Sequence, residues 1–291
     1  MNLWQHLSSQ ISQHTGQPFI ITQQFALGGG CINDAYQLND GDSRYFVKLN
    51  SIEHSNMFET EALALKELHE LSPVRVPQAI CAGQYEHQAY LILEHLDLSG
   101  RAESARFGQQ LAAMHRVSAK QFGWSRDNVI GATPQHNKLT SSWVEFWREQ
   151  RLQPQLKLAQ QNGYGSALSP LIDKLLTSFD RLFTSYSPPP SLLHGDLWGG
   201  NAAGLCDGTP VIFDPALYYG DRETDIAMTH LFGGFDSRFY AAYNEVWPLD
   251  EGFTIRKTLY NLYHILNHLN LFGSGYLGQS VSMTEKLLSE I

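Results

Sequence analysis

Two short segments late in the chain restrict what it can fold into more than any other stretch. They are Leu193-His194-Gly195-Asp196-Leu197-Trp198-Gly199-Gly200-Asn201 and Val211-Ile212-Phe213-Asp214-Pro215. Each starts as a short apolar strand, Ser191–Leu193 or Val211–Phe213, and ends in a polar turn, so the pair reads as a small hairpin carrying a carboxylate, an amide and a second carboxylate. That set suits phosphoryl transfer, which needs a positioned hydroxyl, metal ions on phosphate oxygens and neutralised charge more than covalent help from the protein. Asp196 is expected to accept a hydrogen bond from the attacking hydroxyl. Asn201, through its amide oxygen, and Asp214 are expected to ligate Mg²⁺, which favours hard oxygen donors. HGD or DP alone would be an ordinary turn, where Asp and Gly abound; their combination, order and separation point to a kinase.

The rest of the chain supplies a setting for that hairpin. Residues 3–15 have helical spacing and stop at Gly16. A β meander follows, with strands at Phe19–Leu27, Ile32–Leu38 and Arg44–Leu49 and a turn at Asn39-Asp40-Gly41-Asp42. Phe58–Leu71 fits a helix that ends before Pro73, and Val76–Ala82 and Ala89–Glu94 read as two further strands. Beyond that the pattern is mainly helical, at about 103–117, 141–161, 169–185, 222–232, 236–246, 254–272 and 281–290. The expected class is therefore α+β: a small antiparallel sheet lobe with one inserted helix (1–96, nucleotide-binding) and a larger, mainly helical lobe (97–291, catalytic and substrate-binding).

The first lobe offers partners for ATP. Lys48, after Phe46-Val47 on the third strand, is placed to reach α/β-phosphate oxygens, and Glu61 in Phe58-Glu59-Thr60-Glu61 is chosen over Glu59 as the carboxylate that holds it. Gly28-Gly29-Gly30 marks a hairpin whose backbone amides could approach phosphates, or else a plain flexible turn. The strand Leu91-Ile92-Leu93-Glu94-His95-Leu96 leads into a linker, with the backbone at Glu94 and Leu96 as candidate adenine contacts.

Composition excludes other classes. Lys and Arg form no run in a chain of net charge −9, whereas a nucleic-acid binder needs a basic face. No apolar run approaches the roughly 20 residues of a membrane span, and MNLWQHLSSQISQHTG lacks the regions of a signal peptide. Cys31, Cys81 and Cys206 form neither a CxxC pair nor a disulfide framework. A soluble cytoplasmic protein without nucleic-acid or membrane partners is expected.

LHGDLWGGN, the FDPA motif and YYGDRETDIAM, together with GGGCIN, FVKLN, FETEA, EHLDL and YNLYHILNHLNLFGSGYLGQ, resemble the fructosamine kinase (ketosamine-3-kinase) family. That family lies in the aminoglycoside phosphotransferase and choline kinase branch of the bilobal protein-kinase-like fold. The resemblance runs from about residue 15 to 280. It implies ATP- and Mg²⁺-dependent phosphorylation of the sugar 3-hydroxyl in ketosamines, free or protein-bound, and release of the amine from an unstable product. Another small-molecule kinase (for aminoglycosides, choline or a sugar) and a non-catalytic nucleotide-binding protein are the alternatives.

Several residues carry two readings. Trp198 is a flat wall for the sugar or its amine, or a core tryptophan over the loop. Asp221 and Arg222 lie near the substrate amine, or are surface charge. The family fold implies that Asp225 accepts backbone hydrogen bonds from the catalytic loop, and His194 organises that loop. His264 and His268 pack a helix or line the substrate cleft. The resemblance also implies a redox switch at Cys31, so that the protein is a monomer or a redox-linked homodimer; a small residue tolerated in a turn is the other reading.

Overall fold

Asn2 caps the first helix, its side chain accepting from the Gln5 amide while Gln5 returns a bond to the Asn2 N–H. Two reciprocal bonds of this kind satisfy donors that a helix start leaves orphaned. Helix α1 (Leu3–Thr15) buries Leu7 and Ile11 and ends at Gly16 in the left-handed region, where glycine meets no Cβ penalty. The computed structural model describes residues 1–28 and 32–291. They form two compact units, Met1–Glu103 with Ala203–Pro215, and Ser104–Ala202 with Ala216–Ile291.

The first unit is built on strands β1 (Gln23–Leu27), β2 (Asp34–Asn39) and β3 (Arg44–Ser51), helix α2 (Ser55–Leu71), and strands β4 (Ala79–Tyr85) and β5 (Gln88–Glu94). The sheet is antiparallel with order β1-β2-β3-β5-β4. Its core joins Leu7, Ile11 and Phe19 to Leu38, Val47, Leu49, Tyr90 and Ile92. Two strands differ from the sequence pattern. Residues 19–22 do not start β1, because the Phe19 and Ile21 amides bond to the Ser12 and Ser8 hydroxyls of α1. Strand β4 starts at Ala79 instead of Val76, since Pro77 has no N–H to donate to a ladder.

In the second part of the chain come α3 (Ser104–His115), a hairpin of β6 (Asn128–Ile130) and β7 (Thr133–Gln135), α4 (Trp143–Trp147), α5 (Gln153–Gln161) and α6 (Gly165–Ser178). A π turn over Arg148–Leu152 interrupts what the periodicity presents as one helix over 141–161. Next are β8 (Ser191–Leu193), β9 (Ala202–Gly204), β10 (Pro210–Ile212) and β11 (Tyr218–Gly220). The β9–β10 hairpin packs with the first unit, Val211 bridging Arg75 and Gly204 bridging Gly100. A Cβ on Gly204 would meet the Ala102 amide nitrogen at 2.1 Å, so this approach requires glycine. Helices α7 (Glu223–Leu231), α8 (Ser237–Val246), α9 (Phe253–Phe272) and α10 (Leu277–Ser289) complete the chain. Among the described residues no helix is long and apolar enough to cross a membrane.

Candidate active site

In the first unit, Lys48 sits on β3 between the buried Val47 and Leu49 and is itself only 6% exposed. Its Nζ donates to Glu61 Oε1 at 2.8 Å and to Asp214 Oδ1 at 2.6 Å. Burial disfavours the ammonium, but the charges of Asp214 and Glu61 outweigh it and raise the Lys48 pKa. Burial pushes the Glu61 carboxyl up, with the Lys48 ammonium pulling against it. Glu59, the other acid of that helical turn, is exposed. Asp214 has φ +57°, a left-handed conformation uncommon for a residue other than glycine and best tolerated by Asp and Asn. Its side chain is 46% exposed, so the carboxylate that meets Lys48 also faces solvent.

In the second unit, Asn201 Nδ2 donates to the Asp196 carbonyl at 2.9 Å and to Asp196 Oδ2 at 3.0 Å. Both contacts engage the amide nitrogen, which turns the Asn201 amide oxygen the other way. Gly195 has φ +84°, and a Cβ there would stand 2.1 Å from the Ala216 carbonyl oxygen. The turn before Asp196 therefore admits only glycine. His194 is fully buried, and its Nδ1 accepts from the Asp196 amide at 3.2 Å.

The loop is held from behind by Asp225, whose Oδ2 accepts from the His194 amide at 2.8 Å and whose Oδ1 accepts from the Gly195 amide at 2.9 Å. Burial opposes the charge of Asp225, but hydrogen bonding and charge from His115, with help from the loop, hold its carboxyl below the usual range. Burial depresses the His115 pKa; its ring bonds through Nε2 to Asp225 at 3.2 Å and through Nδ1 to the Tyr243 hydroxyl at 2.8 Å. Tyr243 in turn accepts from Arg222 at 3.0 Å. Arg222, Tyr243, His115 and Asp225 thus form one buried chain of hydrogen bonds ending on the loop amides.

This chain corrects the expectation for Arg222, which is 4% exposed, lies over the Trp247 ring at 4.0 Å and donates to the Trp247 and Pro248 carbonyls. Asp221 is corrected likewise. It is fully buried and accepts from the Tyr260 and Tyr186 hydroxyls and the Glu223 amide. Neither side chain is open to a substrate, because the turn before α7 folds inward against aromatic residues far away in sequence. The next acid, Glu223, is fully buried in a two-point ion pair with Arg256, at 2.8 and 3.0 Å.

The sequence reading missed His115, Tyr243, Glu223 and Arg256. It also missed the β6–β7 hairpin, from which Gln135 and Asn128 donate to the Ala216 and Leu217 carbonyls just after Asp214. His115 closes α3 as a lone buried histidine, a pattern that names no partner.

The remaining predicted positions are more open. Gly28 is exposed at the end of β1, with no heavy atom within 4 Å of a Cβ built on it. Gly29, Gly30 and Cys31 lie outside the described residues. The Glu94 amide already donates to the Gln78 carbonyl at 2.8 Å, which leaves the carbonyl as the group to consider for adenine at that residue. The Glu94 side chain pairs with Arg75. Leu96 is half-buried in the linker, and Trp198 is 38% exposed.

Asp214 in the first unit and Asn201 in the second each carry a hard oxygen of the kind Mg²⁺ takes.

A family model described as fructosamine kinase matches residues 3–290. The chain is 48% identical over 288 residues to a "probable ketoamine kinase" of Synechocystis sp., covering 98% of this chain and 97% of that one. It is 42% identical over 277 residues to the chloroplastic protein-ribulosamine 3-kinase of Arabidopsis thaliana, covering 94% and 85%. The crystal structure of a "putative fructosamine-3-kinase" from Haemophilus somnus 129PT superposes with a TM-score of 0.89 at 30% identity, over 99% of this chain and all of that one. An aminoglycoside phosphotransferase, APH(4)-Ia in a thermostable mutant form, superposes with a TM-score of 0.60 at 14% identity over 97% of this chain and 98% of that one, a likeness of fold alone. The fold is the α+β kinase-like fold of these phosphotransferases, and the chain belongs to the fructosamine kinase family.

Proposed function

We propose that this protein is an ATP- and Mg²⁺-dependent kinase that phosphorylates the 3-hydroxyl of ketosamines, the fructosamine or ribulosamine adducts of amines. The observation that carries the chemistry is the contact of one buried lysine, Lys48, with both Glu61 and Asp214. Family membership supports the substrate class.

In this reading Lys48 neutralises α/β-phosphate oxygens, and Glu61 keeps its ammonium in place. Gly28, Gly29, Gly30, the Glu94 carbonyl and Leu96 serve the rest of the nucleotide. Asn201 and Asp214 are the residues we assign to Mg²⁺, which when bound offsets charge on the phosphate oxygens. Asp196 accepts the hydrogen bond of the sugar 3-hydroxyl and orients it for attack. The Asn201 amide on Asp196 Oδ2 helps fix the carboxylate rotamer. Trp198 walls the sugar and its amine. The 3-phosphate product then loses a C1 proton and eliminates inorganic phosphate from C3. Water hydrolyses the resulting imine to the free amine and a deoxydicarbonyl sugar, so the net result is deglycation.

The test is ADP formation with a synthetic ribulosamine, a fructosamine, choline and kanamycin, each with Mg²⁺ and ATP. Turnover on one or both ketosamines, and none on choline or kanamycin, is expected. Preferential turnover of kanamycin or choline would overturn the substrate assignment, and nucleotide binding without turnover on any acceptor would overturn the kinase reading itself.

A further inference from the structure

Trp198 does not stand alone. Its ring meets Phe232 edge-on with centroids 6.0 Å apart, Phe232 meets His268 at 4.9 Å, and His268 meets both Phe272 at 5.3 Å and Tyr276 at 5.2 Å. The rings come from the catalytic loop, the C-terminus of α7, the last turn of α9 and the turn that follows it. Trp198 is 38% exposed, Phe232 41% and Phe272 58%. Exposed apolar residues scattered singly are ordinary, whereas a connected apolar patch marks a binding surface.

The backbone ties this row of rings to the catalytic loop. After Phe232 the chain turns at Gly233 (φ +76°) and Gly234 (φ +102°). A Cβ on Gly199, in the loop itself, would stand 2.9 Å from the Gly233 carbonyl oxygen. The approach leaves no room for a side chain on Gly199, so Phe232 and Trp198 are held beside each other by construction.

We infer that Trp198, Phe232, His268 and Phe272 form a subsite for the amine half of the substrate, one that selects ketosamines whose amine carries an aromatic or extended apolar group. The inference rests on the ketosamine reading above. With the sugar hydroxyl at Asp196, the adjoining secondary ammonium meets Trp198, the aromatic side chain best suited to a cation. The substituent on nitrogen continues along Phe232 and Phe272. His268 bonds through Nδ1 to the His264 carbonyl at 2.8 Å, and burial depresses its pKa. At neutral pH it therefore presents an uncharged ring that does not repel the ammonium.

The test compares the ribulosamines of methylamine and 2-phenylethylamine. KM for the aryl adduct is expected to be about tenfold lower, the size of a good aromatic contact. Phe272→Ala, at a site 58% exposed and outside the catalytic set, is expected to raise KM for the aryl adduct with kcat unchanged, and to leave the methyl adduct unaffected. Phe232→Ala provides a second variant with the same expectation. Equal KM values for the two adducts in the wild type, or a loss in both variants that is the same for both adducts, would overturn the subsite while the ketosamine assignment stood. Absence of turnover on either adduct would overturn that assignment and the subsite with it.

Discussion

One acidic residue, Asp214, and a set of three a few positions on, Asp221, Glu223 and Asp225, have opposite fates. Asp214 meets Lys48 on one side and solvent on the other, with 46% of its side chain exposed. Asp221, Glu223 and Asp225 lie within 1% of complete burial, and hydrogen bonds from Tyr260, Arg256, His115 and loop amides occupy their oxygens. The first arrangement leaves a charge able to meet a ligand. The second spends its charge on holding backbone in place. Burying an ion is costly unless every partner is present, so the three buried acids work as scaffold, whereas Asp214 keeps a face open to solvent. An acid close to a catalytic motif is not on that account a binding residue.

The difference can be broken experimentally, starting with the largest effect. Asp196→Ala and Asp214→Ala should each lower turnover by at least ~10²-fold, the usual size of general-base and electrostatic contributions, while shifting Tm by only a few degrees. Near-wild-type turnover in steady-state assays would remove the altered residue from the mechanism. Arg256→Met should show the reverse. Removing one partner of a fully buried pair costs roughly 3–5 kcal/mol, so chemical denaturation should reveal a large loss, and Arg256→Met with Glu223→Met should recover much of it. A single variant as stable as the wild type would mean that the Glu223–Arg256 pair is not structural.

A pH series gives a third, smaller contrast. Burial, with help from His268, lowers the His264 pKa to about 3 from an ordinary 6.5. The folded state thus favours the neutral ring, and the unfolded chain takes up the proton first as pH falls. The stability this represents is complete above pH 6.5 and is lost progressively as pH falls toward 3. His264→Phe should flatten that part of the profile in denaturation midpoints measured between pH 7 and 4; parallel profiles would contradict it. The smallest effect is expected at Asp236, which caps α8 by accepting from the Arg238 and Phe239 amides. The Ser104 hydroxyl on its side chain is the main reason its pKa is depressed to about 2. Asp236→Ala should lower Tm slightly and Asp236→Asn should not, since Asn caps as well; equal losses in both would assign the effect to charge.

The contact between Lys48 and Glu61 was legible because local patterns determine it. Glu61 lies on the same helical stripe as Phe58, Leu65 and Leu68, all buried, whereas Glu59 falls on another face. Spacing alone therefore separates the acid that can reach a sheet from the one that cannot. The alternation around Lys48 and the Asp40-Gly41 turn fixed the meander in the same way. Asp221 and Arg222 were not legible, since their partners Tyr186, Tyr260 and Trp247 lie dozens of residues away and a charged turn looks like surface. Strands β6, β7 and β11, at three residues each, carry no period and lack the apolar run before a motif that marked β8 and β10. The shift of β4 could have been anticipated from Pro77, which has no N–H to offer a ladder.

The most direct test of the account is NMR of the product formed from a synthetic ribulosamine with Mg²⁺ and ATP, for the wild type and Asp196→Asn. The account predicts one phosphoryl group on the sugar O3, followed by appearance of the free amine, and neither with the variant. Phosphate on another hydroxyl, or undiminished transfer by Asp196→Asn, would contradict it.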